Sequence, residues 1–105
     1  MKYLITDPCY VVPDKEWHNY CDNYIDFDEG NTPYVIVGLG KIIASHGTKY
    51  GDGSKKIGNG EVLVDSGTVC IVELEDGVKP TEYQGNCIAS SLETAKKWFS
   101  RAKTI

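Results

Sequence analysis

The sequence predicts an α+β fold: a twisted, mostly antiparallel sheet of about five or six strands packed with two helices. Three observations lead there. Short β-branched runs alternate with turn residues along most of the chain. One amphipathic stripe at helical spacing lies near each end. Eleven glycines and seven tyrosines favour a turn-rich β protein with half-exposed aromatic surface. A chain of 105 residues holds one core, so residues 1–105 read as a single domain.

The first element is a strand over residues 2–6, interrupted and resumed at 9–12. Pro8 has no amide hydrogen to give a ladder, so it demands an edge, a bulge or a bend. Pro13-Asp14 suits a helix start, because proline fits the first turn and an acid there suits the helix dipole. Trp17, Tyr20, Cys21, Tyr24 and Ile25 then follow at i, i+3, i+4, i+7 and i+8, which predicts an amphipathic helix over 14–25. Residues 26–33 form an acidic loop. Tyr34 to Val37 reads as a buried strand. Lys41 to Ser45, past the Gly38-Leu39-Gly40 joint, is its partner or its continuation beyond a bulge.

Residues 46–60 carry five glycines and three lysines and predict a long loop with at most a small hairpin. Glu61–Val64 and Thr68–Glu73 flank Asp65-Ser66-Gly67, which predicts a hairpin with Gly67 at positive φ. Residues 78–84 are polar and extended. Cys87–Ala89 is a last short strand. Ser90 and Glu93 read as a capping box. It opens a final helix with Leu92, Ala95, Phe99 and Ala102 inward, Trp98 beside them, and Lys96, Lys97, Arg101 and Lys103 outward.

Charge and composition exclude several function classes. The net charge of −4 argues against non-specific binding to nucleic acid or an anionic membrane. No apolar run approaches the roughly 18–20 residues that span a bilayer, and the N-terminus does not read as a signal peptide. A cytoplasm is therefore expected. Cysteines at 9, 21, 70 and 87 have no Cys-x-x-Cys spacing and no histidine partner pattern, so neither zinc nor disulfides are expected. No cofactor is called for.

Four groups of residues are candidates for function. Cys9 is a nucleophile if a histidine lowers its pKa, and His46 is the better placed partner. His18 falls on an exposed helix face. Asp7, Asp52 and Asp65 each sit where a strand meets a turn. They suit acid–base or metal chemistry there, or simply cap turn amides. The glycine-rich loop, with Lys49, Lys55 and Lys56, suits an anion, although it has neither P-loop nor dinucleotide-fingerprint spacing. Tyr10, Tyr50 and Tyr83 are aromatics that helical or strand periodicity does not absorb.

The stretches YLITDPCYVVPDKEW (3–17), HGTKYGDGS (46–54) and VDSGTVCIVE (64–73) together resemble a group of small, uncharacterised bacteriophage and prophage proteins. Their pattern is Asp-Pro-Cys-Tyr, a Trp-bearing helix, Gly-Asp-Gly, and then Val-Asp-Ser/Ala-Gly. The resemblance covers residues 3–73, and Lys55-Lys56 departs from it where an aromatic is expected. It implies a viral origin and a host cytoplasm, and assigns no activity. Small phage accessory proteins often disable host defence, so the expectation is a non-enzymatic, oligomeric binding protein that sequesters an anionic nucleotide-derived signal. Asp7, Tyr10, His46, Lys49, Tyr50, Asp52, Lys55, Lys56, Asp65 and Ser66 would line its site. The alternatives are an inhibitor that binds a host protein directly, steered by the acidic loop and net charge, and a small hydrolase using Cys9 with His46 or the aspartates.

Overall fold

The structure is a computed structural model and describes residues 1–105. Its main sheet has five strands. These are β1 (Tyr3–Thr6), β2 (Tyr34–Ile36), β3 (Gly40–Gly47), β6 (Thr68–Leu74) and β7 (Ile88–Ala89), in the order β2-β3-β6-β1-β7. Every pairing within it is antiparallel. The remaining strands, β4 (Gly53–Ile57) and β5 (Gly60–Val64), form a separate two-stranded sheet. The helices are α1 (Trp17–Tyr24) and α2 (Leu92–Arg101). The fold is therefore α+β with a mostly antiparallel sheet and two helices, as the sequence predicts. No helix is long and apolar enough to cross a membrane.

Strand alternation sends side chains to both faces of the main sheet, and each face is buried. Leu4, Cys70, Val72 and Leu74 share one apolar cluster with Val11, Val12 and Tyr20. Tyr3, Ile5, Val69 and Ile71 share the other with Val62, Val64, Ala95 and Ala102. The sheet is thus a middle layer, with α1 on one side and α2 with the small sheet on the other. In β3 the register shifts between Ile42 and Ala44. The extra residue sends Ile42 and Ala44 to opposite clusters, although two-residue spacing would put them on one face.

Helix α1 is preceded by a 3-10 turn at Asp14–Glu16, so the predicted 14–25 segment is helical with a tighter first turn. Its stripe builds an aromatic stack. Tyr20 lies parallel to Trp17 and Tyr24, with ring centroids 5.6 and 5.7 Å away, and edge-on to Tyr34 at 5.2 Å. The Tyr20 hydroxyl, near Ser45, is buried without a hydrogen bond. An orphaned buried hydroxyl costs stability, so Tyr20→Phe is expected to keep or raise the denaturation midpoint. Tyr20→Ala, which empties the stack, is expected to cost about 3–5 kcal/mol in the same urea titration.

Three sequence expectations are corrected. The first strand does not resume at 9–12: it ends at Thr6, and Pro8–Tyr10 forms a 3-10 turn. Asp65-Ser66-Gly67 is not a hairpin turn: both edges of β6 are taken, by β3 and by β1, so β5 pairs with β4 instead. Gly67 does adopt positive φ, at 73°, but the turn there carries the chain from the small sheet into the main one. At the last helix the cap is Ser91, whose side chain accepts from the Thr94 amide at 3.2 Å, and not Ser90 with Glu93. Strand β7 runs to Ala89, and the extended backbone at Ser91 leaves the helix one residue later than the box implies.

Candidate functional site

Three of the predicted stretches meet at one end of the main sheet, where β1 and β3 end and β6 begins. The element that joins them is Asp7. Pro8 cannot continue the β1 ladder, so the chain turns into a single 3-10 turn at Pro8–Tyr10, capped by Asp7 itself. The Asp7 carboxylate is fully buried. Its Oδ1 accepts from the Cys9 amide at 2.9 Å and from the Ser66 hydroxyl at 2.6 Å. Its Oδ2 accepts from the amides of Asp65 and Ser66, each at 2.7 Å. Ser66 spends its only hydroxyl proton on Asp7, so the 2.7 Å contact with Thr68 is donated by Thr68. The carboxylate thus ties the end of β1 to the turn between the two sheets. All four of its partners are donors, the complement an ionised carboxylate requires.

This geometry leaves Asp7 no free oxygen for acid–base work. Nor do any three His, Cys, Asp or Glu side chains stand together as a metal-holding group. Asp52 lies close to Gly67 and near Cys9, with its side chain exposed. For the aspartates the turn-capping reading describes Asp7.

Cys9 and His46 do not form a dyad. Burial, the nearby Asp7 carboxylate and the negative charges of Asp65 and Asp52 push the Cys9 thiol up to about 12. A thiol so raised is protonated at neutral pH and is a poor nucleophile. His46 is buried, with Nδ1 at 3.0 Å from the Gly47 carbonyl and Nε2 at 2.8 Å from the Phe99 carbonyl. Its ring packs on Phe99 at 4.0 Å, so it anchors α2 to β3 and faces no thiol.

Two expectations follow for the thiol. Cys9 should be alkylated by iodoacetamide at pH 8 far more slowly in the folded chain than in urea, as read by peptide mass spectrometry. Because folding raises its pKa from 9.0 to about 12, the folded state holds the proton longer. The stability this contributes is complete below pH 9 and lost as pH rises from 9 toward 12, so wild type should lose stability there more steeply than Cys9→Ala.

What does open at this end is a cleft of about 430 Å³ between the 3-10 turn, the β4–β5 sheet and residues 82–86. Tyr10 and Asp65 line it, and the Tyr10 hydroxyl donates to the Asp65 carboxylate. Burial and that carboxylate raise the Tyr10 pKa well above the usual phenol value. Tyr83, 72 % exposed, meets Tyr10 edge-to-face with centroids 4.8 Å apart. Thr6, Ser54, Glu61, Glu82, Gln84 and Asn86 complete the polar lining, and no Lys or Arg contributes. The three carboxylates of Glu61, Asp65 and Glu82 therefore set its charge.

The lysines of the glycine-rich segment do not converge on it. Lys55 and Lys56 are neighbours on β4, so their side chains leave opposite faces of the strand. Lys49 is exposed, 5.4 Å from the Tyr50 ring, and Tyr50 itself is exposed. His46 lies in a second depression of about 480 Å³ with Asp26, Asp28, Thr48 and Lys103. Of the ten residues expected to share one site, Tyr10 and Asp65 line the cleft, while Asp7 and Ser66 hold it from behind. Asp52 lies near that turn, and His46, Lys49, Tyr50, Lys55 and Lys56 line no part of it.

No protein-family model, curated protein or solved structure matches this chain. The site is therefore read from its geometry.

Sequence reasoning missed Glu61, Glu82, Gln84 and Asn86. The available signal was Thr81-Glu82-Tyr83-Gln84-Gly85, a turn-forming string holding an aromatic. The Thr81 amide donates to the Gln84 side chain at 2.9 Å, and the Gln84 amide to the Thr81 hydroxyl at 3.2 Å. The Gln84 carbonyl then accepts from the Thr6 hydroxyl at 2.6 Å, which ties the turn to β1.

Proposed function

We propose that this chain acts by binding rather than catalysis, as a small accessory protein that engages a protein partner through the Tyr10–Tyr83 cleft. The observation that carries this reading is the cleft's lining: exposed aromatic surface and three carboxylates with no cation among them. Aromatic anchors are what protein interfaces use for affinity. Acidic groups steer and select basic surfaces, so the partner is a basic protein. The phage resemblance supplies the setting, in which the partner belongs to host defence and the chain inhibits it by occupying its basic surface.

This reading replaces the anionic nucleotide-derived signal as the preferred ligand, since the lysines such a ligand needs lie outside the cleft. It also sets aside the hydrolase, whose thiol is held protonated and whose imidazole nitrogens both face backbone carbonyls.

A photo-crosslinking residue placed at Tyr83 in host cells tests it. A discrete adduct is expected from Tyr83, none from the same residue at Val37, which is 96 % exposed on a different surface, and none after Glu61→Lys with Glu82→Lys. Wild type, and not the charge-reversed variant, should restore plating of a phage restricted by that host. Equal adducts from both positions would overturn the reading, as would calorimetric binding of a cyclic or ADP-ribose nucleotide abolished by Lys55→Ala or Lys56→Ala.

A further inference from the structure

The cleft is built to different degrees on its two sides, and the difference points to a ligand. Tyr83 is largely exposed, yet it does not stand on a free loop. Residues 81–85 are cross-braced by the Gln84 amide donating to the Thr81 carbonyl at 3.0 Å and the Gly85 amide to the same carbonyl at 3.2 Å. The reciprocal Thr81–Gln84 side-chain bonds and the Thr6 bond to the Gln84 carbonyl add to this. Tyr10, against which the Tyr83 ring rests, is in turn pinned through its hydroxyl to Asp65. An exposed ring held this firmly is preorganised, so a ligand that stacks on it loses little side-chain freedom of the protein.

Beside that ring stand Glu82 and, across the cleft, Glu61. Neither takes part in the two ion pairs of the fold, Lys41–Glu73 and Lys96–Glu29. Lys56 is opposite Glu61 in the β4–β5 register and makes no ion pair with it. The cleft thus offers a fixed π face and uncommitted carboxylates in one place. A planar cation satisfies both at once: a guanidinium stacks on an aromatic face and donates paired hydrogen bonds to a carboxylate. An ammonium has no plane to stack, and an anion meets only like charge.

Resting on the reading that this cleft is the binding face, we propose that it captures an arginine side chain of the partner, stacked on Tyr83 and paired with Glu82 or Glu61.

Arginine amide, lysine amide and citrulline amide are the probes, the last being the neutral isostere. Each is titrated into the isotope-labelled full chain and followed by backbone amide shifts. Arginine amide should move the amides of residues 10, 61–65 and 82–86 in a saturable, salt-sensitive way, and citrulline amide should not. Glu82→Gln and Tyr83→Ala should each weaken binding roughly threefold to tenfold. Both residues are exposed, so the remaining spectrum should be unchanged. Lys56→Ala should leave binding equal or tighter. Equal shifts from citrulline amide, equal affinity for lysine amide, or indifference to both cleft substitutions would overturn the proposal. If arginine amide fails while the Tyr83 adduct forms, the arginine assignment falls and the binding reading stands. If neither appears, both fall.

Discussion

Asp7→Ala is expected to lower the free energy of unfolding by about 3–5 kcal/mol, a large fraction of what a domain of this size possesses. The substitution removes one acceptor group but orphans three backbone amides and one hydroxyl. Each buried donor left without a partner carries a desolvation penalty of about 1–3 kcal/mol, moderated where water can enter. Asp7→Asn should cost less, about 1–3 kcal/mol, because one oxygen remains and Ser66 can rotate its hydroxyl to accept. The order wild type, Asn, Ala should appear in urea midpoints. Amide shifts at Asp65 and Ser66 should move most, since Asp7 holds that turn. An Ala variant within 1 kcal/mol of wild type would remove Asp7 from its place as the link between the sheets.

Gly40→Ala should be comparably severe, costing about 3 kcal/mol or more. A Cβ at Gly40 would stand 2.0 Å from the Glu73 carbonyl oxygen and 3.0 Å from the Leu74 Cα. Both are backbone atoms of the β3–β6 pairing, with Gly40 opposite Leu74. A flexible side chain could swing away; a ladder cannot, so the strands must part. Gly77→Ala is the control. Gly77 has φ of 78° with nothing within 4 Å of the added atom, so only backbone strain of about 1 kcal/mol applies. Denaturant unfolding of the two variants side by side separates collision from strain, and equal costs would mean that β3 and β6 do not approach this closely.

Both helices, and every strand of the main sheet, were legible because their signals are local. The Trp17–Tyr20–Tyr24 spacing specifies α1, and the Leu92–Ala95–Phe99–Ala102 stripe specifies α2. The bend at Asp7-Pro8 was legible for the same reason, since proline lacks the donor a ladder needs. The hairpin at Asp65-Ser66-Gly67 was misread because turn residues report that a chain reverses, not which strand it then pairs with. That was decided by competition: β1 and β3 occupy both edges of β6 and leave β5 to β4.

The candidate site was half legible. Asp7, Tyr10, Asp65 and Ser66 belong to it, and their presence at strand ends and turns made them visible. Glu61, Glu82 and Gln84 were invisible because glutamates and glutamines in polar stretches look alike until something packs beside them. The lysines were overread for the converse reason: adjacent residues look like a cluster in sequence, and a strand turns them to opposite faces.

By itself, then, the sequence determined the two helices and the strands of the main sheet, where the first strand must bend, and that the protein carries net negative charge. These depend on side-chain periodicity, a missing amide hydrogen and simple counting. The tertiary structure alone decided that Asp7 spends one carboxylate oxygen on the Asp65 and Ser66 amides of a turn 58 and 59 residues away, and the other on the Cys9 amide and the Ser66 hydroxyl. It alone decided that Cys9 and His46 face different neighbours, and that two tyrosines and three acids share one cleft. The physical reason is that hydrogen-bond partnership, desolvation and the sign of a local field depend on distances between residues far apart in the chain, which only packing sets.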